Sequence, residues 1–463
     1  MSEKKKLSAS LKYFFGIGDF GFNLMTNVEN YYFQFFLTNV AAFSVGLAGV
    51  ISTIYTIVDA ALSWIYGAIL NGIRPKKWGR YRSWLILLPW IVPFLYAFQF
   101  IRISDNPVLS SVIILTATIS SHIVWNFPYV ANVSMINVAA STPDDKIQLS
   151  ATRGAWNNLA SVAFSYLGLP FATILGGIVG ENNRFGALAF VMGVVMVAGY
   201  FAHFKMLDGY EEIESEEDSA AKKAAAAASK MSASEMAGAL FSNAPLLALL
   251  LVDLAKWMMK FVVGGAAIYY FTYVARDTGL MATYLLISNI LGIVGAYMSK
   301  SLAKKLSTRT TMIITFVTTA ACMLVAFVLR ENVLAAVALM CVAQLGYGVA
   351  YSGTPALYAD AVVYSEWKMK KNATGLIMGL QNLPLKVANL VKAVVITACL
   401  AAVHFDAQID PAAATGALKA GVCLPFMVVP AVALIIGALL LIFCFRLTKE
   451  DVVRYQAEID RRA

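Results

Sequence analysis

The sequence predicts an all-α membrane protein of about twelve transmembrane helices, and three observations support that fold class. The 463-residue chain is 59% hydrophobic and only 14% charged, and its mean hydropathy is +0.69. Apolar runs of the length needed to cross a bilayer recur along the chain. Basic residues gather in the short loops between alternate runs, as they do in cytoplasmic loops of membrane proteins. These features exclude an ordinary soluble domain.

The apolar runs also predict how the helices are grouped. A polar stretch, with an acidic run followed by an alanine-rich segment, separates six runs from six others. We therefore expect a first six-helix bundle over residues 1–206, a solvated cytoplasmic linker over 207–236 and a second six-helix bundle over 237–463. The runs fall near residues 11–38, 45–72, 83–102, 108–137, 143–178, 184–206, 239–273, 281–304, 308–329, 332–362, 373–403 and 415–446.

The distribution of basic residues predicts the orientation. The termini and even-numbered loops hold 26 of the 36 Lys and Arg residues, whereas the odd-numbered loops hold five. We therefore expect both termini on the cytoplasmic side of the cell (inner) membrane. Because the positive charge lies in short loops, it does not indicate a nucleic-acid partner.

A weak internal repeat points to a known transporter plan. The second helix of each half precedes a basic loop, RPKKWGRYR at 74–82 and KSLAKKLSTR at 300–309. Two repeated halves of six helices are the plan of the major facilitator transporters. The sequence contains no Walker A motif, Rossmann glycine fingerprint or HExxH motif. We therefore expect no enzyme and no cofactor, and transport that is passive or driven by a gradient of H+ or Na+.

The second predicted helix carries a single acid, Asp59, near its middle. A carboxylate inside a membrane helix costs roughly 2.5–3.5 kcal/mol on insertion scales, so it is usually retained for a task. Helix rise places Asp59 about 22 Å from Arg74 in the basic loop, near the centre of a bilayer about 30 Å thick. Asp59 then either carries the coupling cation or is a buried acid paired with a neighbouring cation. We expect the first.

The first predicted helix, GIGDFGFNLMTNVENYYF, carries a polar stripe. Asp19, Asn23, Thr26 and Asn27 recur at three- to four-residue spacing, which places them on one face. Glu29 lies on the flank of that stripe. Asn and Thr can also bond neighbouring helices, whereas buried acids indicate function or a salt bridge. We expect all five residues to contact substrate.

Helix 4 carries a polar face that ends in NFPY at 126–129. Asn126 and Tyr129 follow His122 at helical spacing. A lone buried histidine is more often a hydrogen-bonded core residue than a proton carrier. Asn126 and Tyr129 are therefore predicted site residues, and His122 is not.

Helix 5 carries an arginine at depth. The stretch TPDDK at 142–146 has the features of a helix start, which puts Arg153 about 15 Å along the helix. Trp156 and Asn157 share its face. The guanidinium could orient a polyol or carboxylate of a substrate, or it could pair with an acid of helix 1. All three are predicted substrate-binding residues.

Helices 7 and 11 add basic residues. Asp253, Lys256 and Lys260 share one face of helix 7. Asp253 and Lys256 are either an internal ion pair or part of a site, and Lys260 then has no obvious local partner. Lys386 lies near the centre of helix 11, where an ammonium needs an anion. We expect Lys260 and three helix 11 residues to contact substrate. The helix 11 residues are Gln381, Asn382 and Lys386.

Four stretches together resemble the glycoside–pentoside–hexuronide:cation symporters of the major facilitator superfamily, of which melibiose permease is the best-known member. They are GIGDFGFN at 16–23, VDAALSWIYGAILNGIRPKKWGRYRSW at 58–84, NFPY at 126–129 and YADAVVYSEWKMKKNATG at 358–375, followed by Lys386. The resemblance covers nearly the whole chain. It implies two six-helix bundles that give alternating access to a central cavity.

The resemblance also implies roles for particular residues. The family's cation site uses two carboxylates of helix 2; Asp59 matches the first, which makes it a candidate Na+ ligand, and Ser63 stands at the second. We include Asn126 with these two in the predicted cation site. Two of the family's sugar-site acids are asparagine here, while its two basic residues remain. These sugar-site positions are Asn23, Asn126, Arg153 and Lys386.

We therefore predict a cation-coupled secondary active symporter, driven by H+ or Na+, for a small polar solute. Because acids are replaced while bases remain, the expected solute is a glycoside or an anionic sugar derivative, such as a uronate or sulfonate. Two alternatives stay open, a transporter of an amphipathic or lipid-like solute and a non-transporting membrane receptor on the same fold. The expected partners are the solute and the lipid bilayer, and the expected state is a monomer.

Overall fold

The computed structural model describes residues 5–72, 77–211, 243–369, 377 and 380–461, and these residues form helices and connecting loops without a β-strand. The chain divides into two compact units, Met1–Lys230 and Met231–Ala463. Most of the predicted linker, 207–236, lies outside the described residues, so its boundaries and its solvated character stay a prediction.

The first unit contains six long helical segments, preceded by a short helix, Ala9–Phe14. The third segment is broken into α-helix, 3-10 helix and α-helix around Pro89 and Pro93, because proline supplies no backbone N–H and crowds the preceding turn. The segments are α1 (Ile17–Phe35), α2 (Val45–Gly72), α3 (Trp84–Phe98), α4 (Pro107–Ala139), α5 (Pro143–Val179) and α6 (Arg184–Met206).

The second unit contains six further segments and a terminal helix. The sixth segment includes a π-helical stretch at Leu424–Val428. The segments are α7 (Ala244–Tyr273), α8 (Thr278–Leu306), α9 (Thr308–Val328), α10 (Val333–Met369), α11 (Asn382–Ala402), α12 (Gly416–Phe443) and the terminal α13 (Lys449–Asp460).

Nine of the helices in the described part of the chain are long and apolar enough to cross a membrane. The other three predicted spans are α1, α3 and α7. Helix α1 carries the polar stripe, α3 is short, and α7 contains Asp253, Lys256 and Lys260. The twelve segments coincide with the twelve apolar runs, so the predicted all-α, multi-pass membrane fold is confirmed.

The start of α5 is as predicted. Thr142 is the N-cap, and its side chain accepts a hydrogen bond from the backbone N–H of Asp145. The Asp145 carboxylate accepts the backbone N–H of Thr142 in return, at 3.1 Å, which completes a capping box. This start fixes the depth of Arg153 on the helix.

Glycines bring α1 and α6 into close contact. A Cβ atom added at Gly21 would lie 2.7 Å from Met196 Cα, and one added at Gly199 would lie 2.7 Å from the carbonyl oxygen of Ile17. Small residues permit this approach of two helix backbones. As a result, the side chains of Asp19 and His203 lie on facing helices.

The loop before α3 is fastened to the end of α6. The carboxylate of Glu211 accepts the backbone N–H groups of Tyr81 and Arg82, at 2.9 and 2.8 Å. Arg82 in turn donates to the carbonyl of Phe204 at 2.8 Å and pairs with Asp208 at 2.7 Å. These contacts join the described part of the predicted basic loop to the first unit.

The terminal helix α13 packs against the end of α10. Trp367 donates from its indole to Glu458 at 2.6 Å, and its ring lies 4.3 Å from that of Tyr455. At the start of α13, hydrogen bonds from Thr448 lower the pKa of Asp451 from its ordinary value. The last helix is therefore both capped and docked on its own unit.

Candidate functional site

The polar side chains inside the first unit form two clusters. The first, here called the acid–histidine cluster, joins α1, α2 and α4 and consists of Glu29, Asp59, His122 and Asn126. The second, here called the arginine cluster, joins α1, α4, α5 and α6 and consists of Asp19, Tyr129, Asn132, Arg153 and His203.

The acid–histidine cluster places one imidazole between two carboxylates. His122 Nε2 lies 2.9 Å from Glu29 Oε2, and His122 Nδ1 lies 3.4 Å from Asp59 Oδ1. All three side chains are buried, with exposures of 6% for Glu29, 6% for His122 and 8% for Asp59. Three titratable groups thus share one enclosed space inside the helices.

Neighbouring polar groups hold both acids in place. Asn126 donates to Asp59 Oδ1 at 3.0 Å and to the backbone carbonyl of His122 at 2.8 Å. The hydroxyl of Tyr96 donates to Glu29 Oε2 at 3.3 Å. The rings of Tyr55 and Trp125 lie 5.3 and 5.0 Å from the imidazole.

This arrangement departs from the sequence prediction at two points. His122, which the prediction left out, lies between the two acids. Glu29, predicted as a substrate contact, lies beside His122 in the same cluster as Asp59. Asn126 lies beside Asp59, and the cation site that includes both residues stays a prediction. The side chain of Ser63 lies outside the described residues, so its role stays a prediction.

The arginine cluster is built on a fully buried carboxylate. Arg153 Nε donates to Asp19 Oδ1 at 2.7 Å, and Asn132 Nδ2 donates to Asp19 Oδ2 at 2.8 Å. Arg153 also donates to the hydroxyl of Tyr129 at 3.3 Å. His203 Nδ1 contacts the amide oxygen of Asn132 and so orients its amide group towards Asp19. Sequence reasoning missed Asn132 and His203.

Arg153 forms an ion pair with an acid of helix 1, which was one of its two interpretations. Its acid partner is Asp19 rather than Glu29, so its charge is balanced within the cluster. The side chain is 19% exposed, and its Nη1 makes no hydrogen bond with a described residue. One edge of the guanidinium therefore remains available to another hydrogen-bond acceptor.

The remaining predicted residues of α1 and α5 lie around the arginine cluster. Asn23 Nδ2 donates to Asn157 Oδ1 at 2.6 Å. Thr26 donates to the backbone carbonyl of Asn23 at 3.4 Å. Asn27 is 7% exposed, and its buried Nδ2 has no hydrogen-bond partner among the described residues. Trp156 donates from its indole to the backbone of the segment before α1.

In the second unit, Asp253 and Lys256 form the ion pair that was one of the two interpretations. Tyr358 donates to Asp253 Oδ2 at 3.3 Å. Lys260, one turn further along α7, is exposed and lies 5.7 Å from the centre of the Tyr347 ring. It forms no ion pair with a described residue.

The predicted residues of α11 are only partly described. Gln381 and Lys386 are half-buried, and the side chain of Asn382 lies outside the described residues. The expectation that Lys386 faces Asp59 or the substrate stays a prediction.

Comparisons with known proteins identify the family. A family model described as MFS/sugar transport protein matches residues 14–449. The chain therefore belongs to this family of membrane transporters, which is not a family of enzymes. The likeness to the glycoside–pentoside–hexuronide:cation symporters is thereby confirmed, and three relatives illustrate it.

The relatives are distant but cover most of the chain. The uncharacterized symporter YjmB of Bacillus subtilis is 23% identical over 97% of this chain and 94% of its own length. The isoprimeverose transporter of Lactiplantibacillus pentosus is 22% identical over 81% of this chain and 76% of its own. The glucuronide carrier protein homolog of Escherichia coli is 22% identical over 79% of this chain and 78% of its own.

Among solved structures, a D-xylose-proton symporter superimposes with a TM-score of 0.61 at 13% sequence identity, covering 96% of this chain and 98% of that one. At that identity, the likeness shows the fold alone. The family model, which is one of the major facilitator superfamily, assigns the fold to that superfamily.

Proposed function

We propose that this member of the MFS/sugar transport protein family is a cation-coupled symporter that moves a sugar or sugar acid by alternating access. The observation that carries the proposal is that helix α1 contributes one acid to each of the two buried clusters of the first unit. Asp19 and Glu29 are ten residues apart on α1, which corresponds to about 15 Å along the helix. A cation bound at one cluster and a sugar bound at the other would both act on α1.

The acid–histidine cluster is the proposed cation site. Its two carboxylates give a formal charge of −2, and a protonated His122 would reduce this only to −1. Carboxylate oxygens that lie together inside a membrane protein are groups that can bind a proton or a metal cation, so we assign the coupling cation to this cluster.

The arginine cluster and its neighbours are the proposed sugar site. Because Asp19 balances the charge of Arg153, the free Nη1 is suited to a neutral hydroxyl oxygen as well as to an anion. Asn23 and Asn157 add amide groups, which both donate and accept hydrogen bonds. Sugar hydroxyl groups likewise both donate and accept hydrogen bonds.

An acid group on the sugar is best matched by a cation that is not paired with a protein carboxylate. Lys260 is a described cation of the second unit that has no ion pair with a described residue, and an ammonium binds carboxylates and sulfonates through charge-assisted hydrogen bonds. The names of the relatives support both kinds of solute, since isoprimeverose is a neutral sugar and a glucuronide carries a carboxylate. The anionic solute is thus a hypothesis that depends on Lys260.

The cellular setting is part of the proposal. The excess of Lys and Arg in the termini and even-numbered loops supports an inner-membrane protein with both termini in the cytoplasm. We propose that the monomer is the transporting unit, because both proposed clusters are built from residues of one chain.

A binding screen followed by uptake tests the proposal. The purified full chain is mixed with methyl β-D-glucoside, isoprimeverose, methyl β-D-glucuronide, sulfoquinovose or a lysophospholipid, and its thermal unfolding is recorded. We expect at least one sugar to stabilise the protein, and proteoliposomes to take up that sugar. Stabilisation by the lysophospholipid alone would favour an amphipathic solute, and sugar binding without uptake would favour a receptor.

A further inference from the structure

We infer that His203 is a positioning residue of the proposed sugar site, and that it acts as a neutral imidazole with its hydrogen on Nδ1. It acts through Asn132 and Asp19, and the three side chains together fix the orientation in which Arg153 meets the sugar. The inference rests on the proposed sugar site and adds the residues that determine how that site donates hydrogen bonds.

The hydrogen bonds of the arginine cluster converge on the carboxylate of Asp19. Asn132 Nδ2 donates to Asp19 Oδ2 at 2.8 Å, and Arg153 Nε donates to Asp19 Oδ1 at 2.7 Å. A carboxylate only accepts hydrogen bonds, so the amide nitrogen of Asn132 is the atom that faces Asp19. The amide oxygen of Asn132 is then the atom that faces His203.

This direction assigns the tautomer of His203. The amide oxygen of Asn132 is an acceptor, so the Nδ1 atom that contacts it carries the hydrogen. The other ring nitrogen, Nε2, is buried and has no hydrogen-bond partner among the described residues. A protonated imidazole would place an unpaired N–H group there and bring a second positive charge into a cluster with one carboxylate, which is costly in a buried site. His203 is therefore neutral.

The close contact of α1 and α6 holds the imidazole in place. His203 is fully buried, and the ring of Phe15 lies 4.6 Å from its own, with the two ring planes at 88°. A Cβ atom added at Gly18 would lie 3.4 Å from His203 Nδ1 and 2.7 Å from the ring of Tyr200. The imidazole therefore has little room to turn away from Asn132.

The cluster fixes one edge of the Arg153 guanidinium. Nε donates to Asp19, and Nη2 donates to the hydroxyl of Tyr129 at 3.3 Å. The Tyr129 ring is in turn stacked on that of Phe22, with the ring centres 4.6 Å apart. Because a guanidinium is planar, fixing Nε and Nη2 also fixes the direction of Nη1. A guanidinium has no acceptor, so the sugar atom that meets Nη1 is an acceptor oxygen.

Asp19 is a second positioning residue in this arrangement. Its side chain is fully buried, and each of its carboxylate oxygens accepts a hydrogen bond from the protein. The sugar therefore meets the guanidinium of Arg153 and not the carboxylate that orients it.

Two substitutions of His203 test the inference, because they place an amide nitrogen at different points. The amide nitrogen of asparagine is as many bonds from Cα as Nδ1 of histidine, and that of glutamine is as many bonds away as Nε2. His203→Asn can thus still donate to Asn132, whereas His203→Gln removes that donor. The matched control is His404→Asn, because His404 is exposed at φ 49°, a backbone conformation that asparagine tolerates.

Binding is measured by calorimetry on the purified full chain, with the sugar that stabilises the wild type most in the thermal-unfolding screen. Exchange of that sugar is measured in proteoliposomes. We expect His203→Gln to weaken sugar binding about tenfold, with a maximal exchange rate within about twofold of the wild type. His203→Asn should restore most of the affinity, and His404→Asn should behave as the wild type. Equal weakening by both His203 variants, or by neither, would overturn the inference and leave the sugar site standing.

A double-variant cycle tests whether His203 acts through Asn132. Asn132→Leu should weaken sugar binding by about the same factor as His203→Gln, and the two substitutions together should weaken it no further. Losses that multiply in the double variant would show that His203 acts by another route, which would overturn the inference.

A measurement on the intact site covers a failure of the variants to fold. The chain holds three histidines, so solid-state NMR of the ¹⁵N-histidine-labelled protein in lipid gives few ring signals. His122→Asn and His404→Asn each remove one signal, which leaves that of His203. We expect hydrogen on Nδ1 alone, and hydrogen on Nε2 or on both nitrogens would overturn the inference. A wild type that binds none of the screened sugars would instead overturn the proposed sugar site.

Discussion

Replacing Asp19 with Asn is expected to destabilise the protein by about 3 kcal/mol. The substitution removes the carboxylate that accepts Arg153 Nε at 2.7 Å and Asn132 Nδ2 at 2.8 Å. Loss of one partner from a buried ion pair costs about 3–5 kcal/mol, because the other charge stays buried and unpaired. Asp19 is fully buried but Arg153 is 19% exposed, so the lower end of that range applies.

The assay is the denaturant-dependent unfolding of the purified protein, followed by its tryptophan fluorescence. The matched control is Glu181→Gln. This change breaks a second Arg–carboxylate pair of the same unit, in which Arg184 lies 2.9 Å from a Glu181 side chain that is 64% exposed. Exposed pairs contribute about 0–1 kcal/mol, so the control should lose less than about 1 kcal/mol.

A double variant separates the ion pair from other effects of the substitution. Asp19→Asn combined with Arg153→Gln removes both charges, so it should be less destabilised than the sum of the two single variants. The reasoning is refuted if Asp19→Asn costs no more than the Glu181→Gln control, or if the two single effects simply add.

Three further predictions follow from the other contacts. Asp59→Asn should abolish accumulation of sugar against its gradient but keep exchange, as measured in proteoliposomes; full accumulation would remove Asp59 from the coupling step. In calorimetry, Lys260→Met should weaken the binding of methyl β-D-glucuronide about tenfold, or by about 1.4 kcal/mol. The affinity for methyl β-D-glucoside should stay unchanged, and an equal loss for both sugars would exclude a contact between Lys260 and the acid group. Glu211→Gln should speed amide hydrogen exchange at Tyr81 and Arg82 at least tenfold, because it removes the charge from the acceptor of both N–H groups; unchanged exchange would show that the loop is held by other contacts.

The positions of the helices could be predicted because the information is local. A run of apolar residues has to span the hydrocarbon region, so its length and composition mark it as a helix wherever it packs. The start of α5 was predictable for the same reason, since Thr142 and Asp145 form their capping box within four residues. Helix α13 was missed, although Thr448 and Asp451 carry the same local signal.

The pairing of the site residues could not be predicted from these local signals. The contact between Glu29 and His122 depends on how α1 and α4 pack against each other. The sequence of neither helix specifies that packing. His122 looked like a single buried histidine because its two acid partners are 93 and 63 residues away in the chain. A buried acid in one helix, together with a histidine and an asparagine one turn apart in another, would have been a reason to expect a shared cluster.

The arginine cluster shows the same limit. From the sequence, Arg153 could pair with either of two acids of helix 1, Asp19 or Glu29. Helix geometry alone did not indicate which of them it would contact. Asn132 donates to the other oxygen of the Asp19 carboxylate, and His203 contacts the amide oxygen of Asn132. His203 reaches that position because Gly21 and Gly199 allow α1 and α6 to pack closely, and a glycine in a single sequence does not reveal which helix approaches it.

The central claim, that the chain couples a cation gradient to sugar uptake, is tested most directly by the steady-state accumulation ratio of the best-binding sugar in proteoliposomes. The ratio compares the sugar concentrations inside and outside while inward gradients of H+ and Na+ are imposed together. The account predicts a ratio well above one that falls to one when ionophores collapse both gradients. A ratio that stays at one throughout would contradict coupled symport.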